Sequence, residues 1–119
     1  MANPNIVQTA SIYGRTDVLA VGTAATAITS NAGSSGKLLK INALVVSNVH
    51  GTNSVDVNVD LFRSSTAYRI ASTVAVPADS SLIVISKDNP IYLNEGDSLR
   101  LTAGAASSAQ AVCSYEELS

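Results

Sequence analysis

The side chains best suited to chemistry in this sequence are its single histidine, His50, and its single cysteine, Cys113. General base work by His50 would need a nucleophile or substrate proton within hydrogen-bond reach. His50 instead precedes Gly51 in a stretch of turn-forming residues, which reads as an exposed loop position. Cys113 sits in the alternating run Ala111-Val112-Cys113-Ser114-Tyr115 and shares a face with Ala111 and Tyr115. A small buried hydrophobe is the role that pattern gives it. A zinc site would have to draw on His50, Cys113 and acids alone, and their spacing matches none of the common ligand sets.

The acids are equally spare. Asp56 and Asp60 lie four residues apart on a β-type run, so about 13 Å separates them along the strand. One ion cannot bridge them directly, and a solvated strand face is the simpler assignment. Glu95-Gly96-Asp97 reads as a tight turn, with a loop calcium site as the alternative, and Glu116 and Glu117 read as a solvated tail. Gly33-Ser34-Ser35-Gly36-Lys37 has the flavour of a phosphate loop but fails its pattern: Asn31 stands where the first glycine belongs, and Leu38 replaces the Ser or Thr. The nucleophile-elbow pattern Gly-x-Ser-x-Gly is missing as well. Among the aromatics, Tyr92 and Tyr115 lie in apolar strands and are assigned to the core, while Tyr13 and Tyr68 flank turns and are expected outside. With Phe62 they form no stacking platform for sugars or single-stranded nucleic acid. The sequence therefore assigns no catalytic, cofactor-binding or metal-ligating residue, and the expectation is a protein without enzymatic activity.

The elements that would position these residues are short β-type runs broken by turn chemistry every 10 to 12 residues or so, the pattern of a sandwich or barrel. Val55-Asp56-Val57-Asn58-Val59-Asp60-Leu61 alternates strictly, with one buried and one wet face. Lys40 to Val49 is apolar on both faces in its middle, as a central strand is. Between them Asn48 to Ser54 reads as a hairpin turn, and Arg63-Ser64-Ser65-Thr66 reads as a second. Further runs are expected over Tyr68 to Val76, Leu82 to Ile85, Ile91 to Leu93, Ser98 to Ala103 and Ala109 to Tyr115. Val18 to Val21 and Ala24 to Thr29 are short strand candidates, with a helix over Thr26 to Ser30 as the alternative. Residues 1–14 read as an N-terminal strand or extended arm, and 15–119 as a single domain. The expected fold is all-β: a two-sheet antiparallel sandwich of about eight short strands, with jelly-roll connections as one arrangement.

Composition sharpens this picture. Of 119 residues, 46% are hydrophobic but only 4% aromatic, so a core of Ala, Val, Leu and Ile has to be thin, as between two packed sheets. Charged residues are only 13%, about half the usual share, and a weakly charged surface is easier to bury against a neighbour because fewer ions lose their water. Net charge is −2 with no basic run, which removes the electrostatic footprint of a nucleic-acid binder and fits poorly with an anionic membrane surface. The first residues carry neither a charged n-region nor an apolar h-region, so no signal peptide is read. Val18 to Ile28 is too short and too rich in Thr and Gly to span a bilayer. One cysteine excludes an intrachain disulfide, so folding is expected to be independent of oxidation.

Several segments carry a family resemblance: Met1 to Val7, Ser11 to Gly14, Pro77 to Asp88, Leu93 to Thr102 and Ala111 to Glu117. Together they resemble small virion structural proteins of tailed bacteriophages, those of marine and cyanobacterial phages above all. The resemblance rests on strands and turns and contains no catalytic signature. It implies a capsid decoration (cement) protein that binds and stabilises the assembled shell, or a tail, neck or fibre-associated structural or receptor-recognition subunit. It further implies the virion as location, assembly in the bacterial host cytoplasm, and the major capsid protein or other virion subunits as partners. A homo-oligomer, with three copies as the favoured number, follows from the same resemblance, as does the use of residues 1–14 as an arm onto a neighbour.

Overall fold

A computed structural model of the chain describes residue 5 and residues 7–119. It contains nine strands: β1 (Ile12–Val21), β2 (Thr26–Ser30), β3 (Leu38–Asn48), β4 (Val55–Arg63), β5 (Thr66–Val76), β6 (Ser81–Ile85), β7 (Ile91–Leu93), β8 (Ser98–Ala103) and β9 (Ala109–Leu118). They form two antiparallel sheets, one ordered β1-β9-β3-β6 with β7 also on β3, the other ordered β2-β8-β4-β5. The expected β-sandwich is therefore the fold. Its strand order is that of a jelly roll, in which the chain passes back and forth between the sheets and the last strand inserts beside the first. The count of about eight becomes nine because β6 and β7 share one lane along β3.

Alternation builds the core. On β4 and β8, Val57 pairs with Ala103, Val59 with Leu101 and Leu61 with Leu99, and Val55, Val57, Val59, Leu99, Leu101 and Ala103 are all buried. From the other sheet Ile41, Leu44 and Val46 on β3 and Ala111, Cys113 and Tyr115 on β9 close over them. Leu93, Ile85 and Val76 fill the margins. Val57, Val59, Leu99 and Leu101 are all fully inaccessible, as their places in the alternation require. Thr26 to Ser30 is strand, so tertiary pairing with β8 overrides the helical leaning of its alanine.

The two turns read as hairpins part company. Arg63 to Thr66 is one: β4 pairs with β5, and Ser64 and Ser65 both take positive φ (52° and 62°), the geometry that matches strand twist. Asn48 to Ser54 is not a hairpin. β3 and β4 belong to different sheets, and the segment carries the chain across the sandwich. Its anchor is Asn48, whose Nδ2 donates to the carbonyls of Asn53 (2.8 Å) and Val76 (2.9 Å).

Four side-chain assignments also change. Tyr92 points outward and is exposed, because alternation along β7 gives the interior to Leu93. Asp60 is buried, 4% exposed, beneath Arg69, whose Nε lies 3.1 Å from Oδ1. Glu116 and Glu117 are part of β9 rather than a tail. Glu117 is bridged by Arg15 (3.3 Å) and Lys37 (3.4 Å), and Glu116 accepts from Asn42 Nδ2 (3.0 Å). At the N-terminus, Ile12 to Gly14 already pair with β9, while residues 1–4 and 6 of the expected arm lie outside the described residues.

Candidate interaction surface

The residues singled out for chemistry are scattered. His50 is half-buried in the β3–β4 crossover, where its Nδ1 accepts the amide hydrogens of Thr52 (3.1 Å) and Asn53 (3.0 Å). That ring nitrogen is committed to holding the loop. Cys113 lies in mid-β9, inside the core. Burial pushes its thiol pKa up, against a hydrogen bond with Thr29 that pulls it down. A nucleophilic cysteine needs the opposite shift. Its cross-strand neighbour Asp17 accepts from Thr29 Oγ1 (3.0 Å) and hydrogen-bonds Tyr115, whose phenol burial first and this carboxylate second push up to about 12.

The acidic turn is a structural clasp. Asp97, on the last residue before β8, takes Arg63 Nε at 2.8 Å and Nη2 at 2.5 Å, and also caps its own turn through the amide of Asn94 (2.8 Å). Glu95 reaches across to the glycine-rich loop and accepts the Gly36 amide at 2.6 Å. The chain's own carboxylate thus occupies the amide that a bound phosphate would seek. Among the described residues no group of three or more His, Cys, Asp or Glu side chains is placed to hold a metal ion.

The feature that does converge is apolar and lies on the outer face of the β1 sheet. Register places Val18 beside Val112, Val112 beside Val45 and Val45 beside Ile83, so one row of β-branched residues crosses four strands. Val18 is 74% exposed, Ile83 66% and Val112 45%, and Val45 is half-buried between them. The rows on either side are small and uncharged: Thr16, Ser114 and Ala43 on one, Ala20, Gln110, Ser47 and Ser81 on the other. Hydroxyls hold these flanks in place, Thr16 to Ser114 at 3.3 Å and Ser47 to Ser81 at 3.0 Å. A shallow depression of about 290 Å³ lies along Val18, Ala20, Gln110 and Val112, and a second of about 430 Å³ adjoins it at Ala20 and Gln110. Single exposed valines are ordinary, but a row of them across a sheet makes this face the candidate for contact with other protein.

None of these four residues stands out in the sequence. Each occupies a polar-phase position of its own strand, as Val112 does between the inward Ala111 and Cys113. Only the pairing of strands far apart in the chain lines them up. The opposite face of the sandwich is polar by comparison, with Arg100 stacked 3.4 Å from the Phe62 ring centroid and in register with Asp60.

No protein-family model and no curated protein matches the sequence. Among solved structures, a chain from the Bacillus endospore appendages, described as a family of disulfide-linked pili, is similar over 100% of this chain and 96% of its own, with a TM-score of 0.54 and 13% identity. The nucleoplasmin-like N-terminal domain of Drosophila FKBP39 is similar over 91% of this chain and 89% of its own, with a TM-score of 0.43 and 13% identity. At this identity the first likeness concerns the fold alone, a β-rich sandwich.

Proposed function

We propose that this chain is a structural subunit of a bacteriophage virion, in the first place a capsid decoration protein that caps the assembled shell and has no enzymatic activity. The observation that carries the reading is the apolar row Val18, Val112, Val45 and Ile83, flanked by uncharged rows, with the charged pair Lys40 and Glu116 one row further out. Burying it against the major capsid protein or another virion subunit removes apolar surface from water and desolvates almost no charge. A ligand that binds only the assembled shell stabilises it by mass action. The family resemblance of the strand segments supports the same reading, and so does the jelly-roll order, which recurs in viral capsid domains.

A tail, neck or fibre-associated subunit is the second reading, and a likeness in fold to a pilus chain sits comfortably with it. Any link between copies here would be non-covalent, since the one cysteine is buried. Purified particles separate the two readings: decoration requires a copy number that scales with the shell's capsomers, and a tail part a number fixed by one tail. Ile83→Asp with Val112→Asp should abolish particle binding while the far-UV circular dichroism of the isolated protein stays unchanged. Full binding by that variant would remove the basis of the proposal.

A further inference from the structure

Four strands form the margins of the two sheets beside β7, and three of them are irregular or short. β2 and β6 have five residues each and a register shift, and β5 is interrupted by shifts and by Thr73 at a φ of 49°. Such irregularities blunt an edge against pairing. β1 is different. It runs ten residues in unbroken register with β9, and among the described residues nothing pairs with its other side. A long, regular edge with free main-chain donors and acceptors is a template for another strand.

The sequence of β1 selects that strand. When two copies of one strand pair antiparallel about a twofold axis normal to the sheet, opposed residues point to the same face, and one residue meets itself at the axis. With Thr16 at the axis, Arg15 stands opposite the partner's Asp17, and Asp17 opposite the partner's Arg15. The remaining pairs match large with small: Ile12 with the partner's Ala20, and Val18 with the partner's Gly14. Tyr13 meets the partner's Leu19 on the other face. Centring on Arg15 or Asp17 instead sets like charges against each other, which is destabilising. Both charged groups keep capacity for the new bond. Arg15 holds Glu117 through Nε and Nη2, which leaves Nη1, and Asp17 keeps acceptor lone pairs beyond its bonds with Thr29 and Tyr115.

We propose that two copies of this chain join through β1, antiparallel about Thr16, so that two four-strand paths become one continuous sheet. The join is isologous and closes at two copies, where the family resemblance implies three. It does not depend on the virion reading, because it concerns the isolated protein.

Sedimentation velocity on the purified protein tests it. A concentration-dependent dimer is expected. Arg15→Asp or Asp17→Arg alone should weaken the dimer by about tenfold or more at low salt, by placing like charges opposite each other. The two changes together should restore it, an outcome that a mere folding defect would not give. Independently, Thr16→Cys should form an intermolecular disulfide on mild oxidation, because the two copies of that position lie within disulfide reach. Val18→Cys should not, because its two copies stand about 13 Å apart along the paired strands. The buried Cys113 stays out of the reaction. A monomer at all concentrations, a trimer, no rescue by the double change, or equal cross-linking at positions 16 and 18 would each overturn the proposal.

Discussion

Arg63→Ala should destabilise the fold more than Asp97→Asn, although the two residues form one ion pair. The asymmetry follows from burial. The Asp97 side chain is 2% exposed and that of Arg63 43%. Removing Arg63 strands a carboxylate in the interior, held among the described residues by the Asn94 amide alone. Breaking a fully buried pair from one side costs about 3–5 kcal/mol. The exposure of Arg63 means part of its bond is already made against solvent competition, so about 2–4 kcal/mol is expected. Asp97→Asn keeps the shape and an acceptor for the Asn94 amide, and the freed guanidinium returns to water, so about 1–2 kcal/mol is expected. Urea melts of the wild type, both single variants and the double variant give the coupling between the two groups, expected at about 1–2 kcal/mol. In thermal melts Arg63→Ala should lower Tm by about 8–16 °C for a domain of this length. A milder effect for Arg63→Ala than for Asp97→Asn, or a coupling indistinguishable from zero, would refute the view that burial sets the cost.

Three further outcomes are expected. Leu101→Ala should cost about 2–4 kcal/mol and Asp56→Ala less than about 0.5, since the first empties a closed core site and the second alters an exposed one; urea melts that rank them the other way would reverse the faces of β4 and β8. Ser65→Gly should stabilise by about 0.5–1 kcal/mol, because the residue sits at a φ of 62° that costs a side chain more than a glycine, and a lowered Tm would contradict the turn geometry. Stability should be complete below the unfolded tyrosine pKa of about 10 and fall as pH rises toward about 12, because folding holds the Tyr115 phenol protonated. In Tyr115→Phe that part of the alkaline loss should disappear from pH-dependent melts, and an identical loss would assign it elsewhere.

The sequence makes the strands legible and their partners obscure, and the reason is physical. Alternation at Val55 to Leu61 and Ser98 to Leu101 is a local signal, fixed by which side chains a pleated strand turns inward. The Ser64–Ser65 hairpin is local too. The segment after Asn48 has the same turn-forming composition and yet crosses between sheets, because β3 finds its partner in β9 at the far end of the chain. Turn chemistry says that the chain bends and leaves open which sheet it enters. Asp60 shows the same limit: nothing near it in sequence announces Arg69 or Arg100, which the sheet brings alongside. Tyr92 was within reach of the alternation rule, which gives Leu93 the interior. The apolar row is out of reach altogether, since Val18, Val45, Ile83 and Val112 become neighbours only through three separate strand registers.

The two buried asparagines set a rule for how this chain can vary. Asn48 ties together the crossover after β3 and the end of β5. Asn31 donates to the carbonyls of Lys37 and Leu93 and accepts from Ser35, fastening the loop after β2 to the end of β7. Each amide spans fixed distances, so a residue inserted at 32–37, 49–54 or 94–97 would pull a buried polar group off its partner. The connections at 23–25 and 105–107 lie outside these knots, past the bonds that tie Gly22 to Ala103 and Gly104 to Asp56, and have the most room to lengthen. Relatives of this chain should therefore differ in length at those two connections, and a peptide tag meant for display belongs at 23–25, away from the depression that Ala106 and Ser107 line.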